Sequence, residues 1–146
     1  MGTVSPNSDP FDLERFVEAQ AGVFDVALSE LKAGAKRSHW MWFVFPQVAG
    51  LGRSRVSRYY AIRSRSEAKA YLEHPLLGPR LRQAAEALMP WAGTHDAATL
   101  LGPVDAIKLR SSLTLFAAVA PDEQLFEQAL AAFFGAPDSE TLRLLS

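Results

Sequence analysis

Three groups of residues in this chain have side chains suited to chemistry. The first runs from Lys36 to Arg63, where Arg53, Arg55 and Arg58 stand beside Gly50, Gly52, Ser54 and Ser57. Arginine forks hold phosphate through paired hydrogen bonds, and glycine lets backbone N–H groups approach an anion closely. Arg53, Ser54, Gly50 and Gly52 are therefore the expected heart of a site for an anionic small molecule, a nucleotide or a sugar phosphate. The segment is not a P-loop, because no Gly-Lys-Ser/Thr string closes it. It is not a dinucleotide fingerprint either, because no strand precedes it. The competing reading is that these arginines solvate a loop and pair with acidic flanks.

The second group is Ser38-His39-Trp40-Met41-Trp42. An imidazole exchanges its proton near neutral pH, so His39 is a candidate acid or base. Trp40 is a candidate for stacking on a base or sugar. Trp40 and Trp42 would fall on different faces of a helix, so both cannot serve one small pocket. Core packing is the plainer role for each. Gln47 and Tyr60 are weaker candidates from the same stretch. Tyr59 and Tyr60 point opposite ways in any regular element, so at most one joins a given pocket.

The third group is Asp105, Lys108, Ser111 and Ser112. Asp105 and Lys108 are three apart, Lys108 and Ser112 four, so on a helix they share a face. A lysine–serine pair serves nucleophilic catalysis when the lysine is neutral, and the neighbouring carboxylate opposes that. A salt bridge near a helix start, or a buried polar network, is the structural alternative. Lys108 and Arg110 could instead add charge to the loop arginines and complete one pocket with Ser111 and Ser112. Lys108 joins His39 as a candidate acid or base. The three histidines lack ligand spacing and there is no cysteine, so neither a metal nor another cofactor is expected.

These residues need elements to position them. Residues 1–10 read as a loose tail and 11–146 as one domain. Leu13, Phe16, Val17, Gln20, Phe24, Ala27, Leu28 and Leu31 keep a three–four rhythm, with a break at Gly22 and a C-cap at Gly34. Ser38–Gln47 reads as a short buried helix ending before Pro46. Residues 48–63 read as an irregular loop turning at Gly50-Leu51-Gly52. Ser64-Arg65-Ser66-Glu67 is a capping box, Pro75 stops its helix and Pro79 opens the next. Residues 104–119 are apolar nearly all round, which marks a central helix. Asp122 and Asp138 begin the last two helices. The expectation is an all-α domain of about six to eight helices around 104–119.

Composition narrows the function classes. With 49% hydrophobic and 21% charged residues in 146, the chain can build a core and is not disordered. No apolar run approaches the roughly 18 residues of a membrane span, and no secretory signal is visible. Pro6 stands where a myristoylation signal needs Ser or Thr. A cytoplasmic protein without membrane contact is expected. The formal net charge of −1 conceals a segregation. Residues 32–69 hold nine bases and one acid, whereas 1–31 hold one base and six acids, and 70–146 hold five bases and nine acids. Acidic ends disfavour nucleic acid as a partner.

Several strings carry a resemblance: Ser38-His39-Trp40-Met41-Trp42-Phe43-Val44-Phe45-Pro46-Gln47, Gly50-Leu51-Gly52-Arg53-Ser54, Ala68 to Pro75 with Leu77-Gly78-Pro79-Arg80-Leu81, and Asp105 with Lys108-Leu109-Arg110-Ser111-Ser112 and Thr114-Leu115-Phe116. From Asp9 onward the chain resembles the bacterial and fungal family called domain of unknown function 1810. The resemblance implies an irregular all-helical domain and no activity. The label calpastatin, attached to some such sequences, conflicts with this hydrophobic composition. Anion binding at the basic loop is the expected function. The alternatives are a protein–protein interaction or structural module without catalysis, and an enzyme using His39 or Lys108.

Overall fold

Four helix starts in this chain are set by side-chain oxygens that accept otherwise unpaired backbone N–H groups. Ser54 Oγ accepts from Ser57, Ser64 Oγ from Glu67, Asp96 Oδ1 from Thr99 and Asp138 Oδ2 from Thr141. A computed structural model describes residues 9–146, so most of the expected 1–10 tail lies outside the described residues. The helices are α1 Glu14–Gln20, α2 Phe24–Ala33, α3 Met41–Val44, α4 Arg55–Tyr59, α5 Arg65–Glu73, α6 Leu77–Leu88, α7 Ala97–Leu101, α8 Pro103–Val119, α9 Gln124–Phe133 and α10 Ser139–Leu145. A 3₁₀ turn, Met89–Trp91, follows α6.

The architecture is all-α, with ten helices among the described residues rather than six to eight. The surplus comes from short pieces. α3, α4 and α7 span four or five residues, too few for a hydrophobic period to register. α4 falls inside the stretch expected to be loop. α6 begins two residues before Pro79, because His74 Nδ1 accepts from the N–H groups of Leu76 and Leu77. His74 thus serves the helix that follows it.

α8 is central. It packs against α9, α7, α10 and α5, and Leu109, Leu113, Leu115 and Phe116 are fully buried. Its first two turns behave differently. Val104 and Ile107 are 65% and 67% exposed, so the apolar character of this helix is only partly explained by the core. Gln20 donates to Phe43 O and to the Tyr71 hydroxyl, which ties α1 to α3 and α5. Among the described residues, no helix is long and apolar enough to cross a membrane, and no group of three or more His, Asp or Glu could hold a metal.

The segment between α3 and α5 is pinched at its base. Val48 and Ile62 form an isolated parallel bridge, with Ala49 N–H donating to Ile62 O and Ile62 N–H to Gln47 O, both at 2.8 Å. Arg15 then clamps it from α1. Its guanidinium donates to Tyr59 O (2.8 Å), Ala61 O (3.0 Å), Phe11 O (2.6 Å), Asp12 O (2.7 Å) and Glu67 Oε2 (2.6 Å). All five guanidinium hydrogens have acceptors, as a buried arginine requires. Glu67 uses its other oxygen to accept from Arg63 N–H at 3.0 Å.

Candidate functional site

The pinched segment encloses a cleft of about 170 Å³, lined by Trp42, Gln47, Gly50, Leu51, Gly52, Ser57, Arg58, Tyr60 and Arg63 among others. The clamp and the bridge position it. Arg15 holds the carbonyls on either side of Tyr60, and Glu67 holds the backbone of Arg63. Two glycines let it close. A Cβ on Gly52 would collide with the Ser57 side chain, and Gly50 has φ +104° with Leu144 Cδ2 3.1 Å from where its Cβ would be. The N–H groups of Gly50, Leu51 and Gly52 donate to no acceptor among the described residues.

The cleft is electrostatically one-sided. Arg58 and Arg63 line it and no carboxylate does. Of the nine bases between residues 32 and 69, Lys36 alone lies within 4 Å of a carboxylate among the described residues. Residues 1–8 contain no Asp or Glu to add to that tally. The loop arginines are therefore not neutralised by the acidic flanks. Burial pushes the Tyr60 hydroxyl above the usual phenol range, so at neutral pH it keeps its proton and can donate.

A second groove, about 260 Å³, adjoins the cleft. Trp42, Gln47, Leu51 and Gly52 line both. Its remaining walls are Val104, Ile107, Lys108 and Ser111 from α8, with Asp138 and Glu140 at the start of α10. Lys108 Nζ sits 3.9 Å from the centre of the Trp42 ring and 3.0 Å from Asp105 Oδ1. Asp105 Oδ2 also takes Lys36 Nζ at 2.8 Å. Burial raises the Asp105 pKa, but the hydrogen bonds from Lys36 and Lys108 outweigh it and the net shift is downward. Asp105 stays an anion between two ammonium groups.

The sequence-derived site residues divide between these surfaces and elsewhere. Gly50, Gly52, Gln47 and Tyr60 line the cleft, and Ser111 and Lys108 line the groove. Arg53 is exposed and lines neither; Arg58 and Arg63 stand where it was expected. Ser54 caps α4 with its hydroxyl. Trp40 is 1% exposed and its Nε1 donates to Glu30 Oε1 at 2.9 Å, so it is core and Trp42 is the cleft tryptophan. Opposite faces were anticipated for this pair, and the inward one is Trp40. His39 is exposed and lines neither surface. Ser112 is fully buried, and its hydroxyl has no partner among the described residues. Lys108 donates to Asp105, and Ser111 donates to Ile107 O at 3.2 Å, so no lysine–serine dyad forms. Arg110 turns away to Ala136 O and Pro137 O and adds no charge to the cleft.

Two features escaped the sequence reading. The Arg15–Glu67 pair is one, although Glu67 in the capping box was a visible signal. The other is Glu30, whose carboxylate accepts from Arg37 N–H, Ser38 N–H, Ser38 Oγ and Trp40 Nε1. Burial pushes its pKa up, but these hydrogen bonds outweigh it and hold the group at about 2. Glu30 thereby fixes the chain entering α3, which carries Trp42.

Comparison with known proteins places the chain in a family. A family model described as a protein of unknown function (DUF1810) matches residues 10–145. The crystal structure of a conserved hypothetical protein from Mycobacterium tuberculosis is similar to this chain. The two share 48% identity and a TM-score of 0.90, over 94% of this chain and 98% of that one. None of the curated proteins matches. The chain belongs to the DUF1810 family of proteins of unknown function.

Proposed function

We propose that this DUF1810 protein binds an anionic small molecule, a nucleotide or sugar phosphate, in the cleft between α3 and α5. One observation carries the reading: Arg58 and Arg63 line a concave surface without a carboxylate on it. Two guanidinium groups can hold one phosphate through paired hydrogen bonds. The unpaired N–H groups of Gly50, Leu51 and Gly52, together with the protonated Tyr60 hydroxyl, supply further donors. Arg53 and Arg55 raise the local positive potential and speed encounter without touching the anion. No acid–base step is assigned. His39 does not line the cleft, and Lys108 is engaged by Asp105.

Thermal shifts against nucleotides and phosphorylated sugars test this. Ligand at a hundred times Kd stabilises the folded state by about 2.7 kcal/mol. A clear upward shift is expected for wild type, and none for the Arg58→Ala/Arg63→Ala variant. The absence of any shift in wild type, or an equal shift in the variant, contradicts the proposal. A second reading is an acidic protein segment docking on α4, where Val56 and Tyr59 are 46% and 51% exposed beside Arg55. That reading predicts loss of binding in Val56→Ser/Tyr59→Ser, which line no part of the cleft.

A further inference from the structure

The cleft and the groove differ in what they can hold. Arg58 and Arg63 line the cleft with no acid beside them. Along the groove, Lys108 is already engaged by Asp105, and it shares the lining with Asp138 and with Glu140, which is itself paired with Arg143. A second anionic group is therefore disfavoured there. The groove offers apolar surface instead. Val104 and Ile107 are exposed by about two-thirds, one turn apart on α8, and no helix covers them. Exposed aliphatic side chains that rim a concavity mark a place where an apolar group is received.

The junction between the two is polar and uncommitted. Gln47 lines both surfaces, and its amide has no hydrogen-bond partner among the described residues. It can donate and accept at once. Trp42 lines both surfaces as well, with Lys108 over its ring. Neither depression alone reaches the roughly 300 Å³ at which small-molecule sites usually begin. They share four lining residues, Trp42, Gln47, Leu51 and Gly52, so an elongated ligand that crosses those residues would occupy both.

We propose that the two depressions form one site for a nucleoside monophosphate, with the phosphate on Arg58 and Arg63 and the base in the groove against Val104, Ile107 and Trp42. The proposal rests on the anion reading of the cleft. The free Gln47 amide meets the sugar hydroxyls or the edge of the base. Asp138, whose Oδ2 caps α10 while Oδ1 accepts no hydrogen bond among the described residues, disfavours a second phosphate and can accept from an amino-bearing ring. Charge complementarity and the uncovered aliphatic residues select this occupant over a plain sugar phosphate, which would leave the groove empty.

Calorimetric titrations with adenosine monophosphate and ribose 5-phosphate test the assignment. They are run on wild type, on Val104→Ser/Ile107→Ser and on Arg58→Ala/Arg63→Ala. The first double variant alters only exposed side chains, so its fold should survive, and circular dichroism checks this. Adenosine monophosphate should bind wild type roughly tenfold or more tighter than ribose 5-phosphate, the size of one base-stacking contact. The Val104→Ser/Ile107→Ser variant should lose that preference and keep its affinity for ribose 5-phosphate. The arginine variant should lose both ligands. Equal affinities in wild type, or a preference that survives Val104→Ser/Ile107→Ser, overturn the bipartite site while leaving the anion cleft standing. Failure of both ligands to bind wild type removes the anion cleft, and the bipartite site with it.

Discussion

The cleft and the groove share Trp42, Gln47, Leu51 and Gly52, yet their charges are handled in opposite ways. On the groove side, Lys36 and Lys108 converge on Asp105. On the cleft side, Arg53, Arg55, Arg58 and Arg63 meet no carboxylate within 4 Å among the described residues. One basic block therefore divides: its lysine at the helix packing is neutralised, and its arginines in the pinched segment are not. The two surfaces are also held differently. The groove runs along one face of a long helix, α8, closed by the shared residues and the start of α10. The cleft depends on remote contacts, above all a buried arginine on α1.

The largest effect should come from breaking that remote support. Glu67→Ala leaves Arg15 buried without its counter-ion and should cost about 3–5 kcal/mol in urea denaturation. A cost below about 1 kcal/mol would show that the clamp is not what holds the cleft. Gly52→Ala acts inside the cleft, by driving a methyl group into Ser57. Overpacking of this kind costs about 1–3 kcal/mol. Ser57→Gly in the same chain should recover a good part of it, which a double-mutant cycle would measure.

Trp42, which the two surfaces share, offers a smaller and pH-dependent test. Glu30 orders the chain before α3, and its folded pKa of about 2 lies below the ordinary glutamate value of 4.5. Its contribution is therefore fully present above about pH 4.5 and fades as pH falls toward 2. Glu30→Gln should lower stability by about 1–2 kcal/mol at neutral pH, a partly exposed carboxylate giving less than a buried one. The gap between variant and wild type should narrow on acidification through that window. A gap that widens would contradict the assignment. The smallest change in stability belongs to the cleft arginines. Arg58→Ala and Arg63→Ala should each stay within about 0.5 kcal/mol of wild type, since both are exposed and unpaired.

How much of this was legible beforehand follows from the range of the interactions. Caps are local, so Ser64 and Asp138 announced their helices and Gly22 announced its break. The all-α class and the central position of α8 followed from apolar spacing. Short helices gave too little period, and α4 was hidden although Ser54, its cap, was noticed as a possible ligand. The site was visible as a neighbourhood and not residue by residue. Gly50, Gly52, Gln47 and Tyr60 line the cleft, but Arg53 does not, because α4 carries Arg58 onto the lining three residues after Arg55. Which tryptophan turns inward was decided by Glu30, ten residues before Trp40 and on another helix. The Arg15–Glu67 contact spans 52 positions, and no local pattern encodes such a pairing.

The central claim is that the unpaired arginines act through the concave surface and not through diffuse charge. Titration calorimetry with ribose 5-phosphate, at low and at physiological salt, compares wild type, Arg58→Ala/Arg63→Ala and Arg53→Ala. All three proteins should differ little in stability, and each variant removes only exposed cations of the segment between α3 and α5. The account predicts binding to wild type, a loss of tenfold or more in Arg58→Ala/Arg63→Ala, and an affinity within about twofold of wild type in Arg53→Ala. An Arg53→Ala loss as large as that of the double variant, or no binding by wild type, would contradict it.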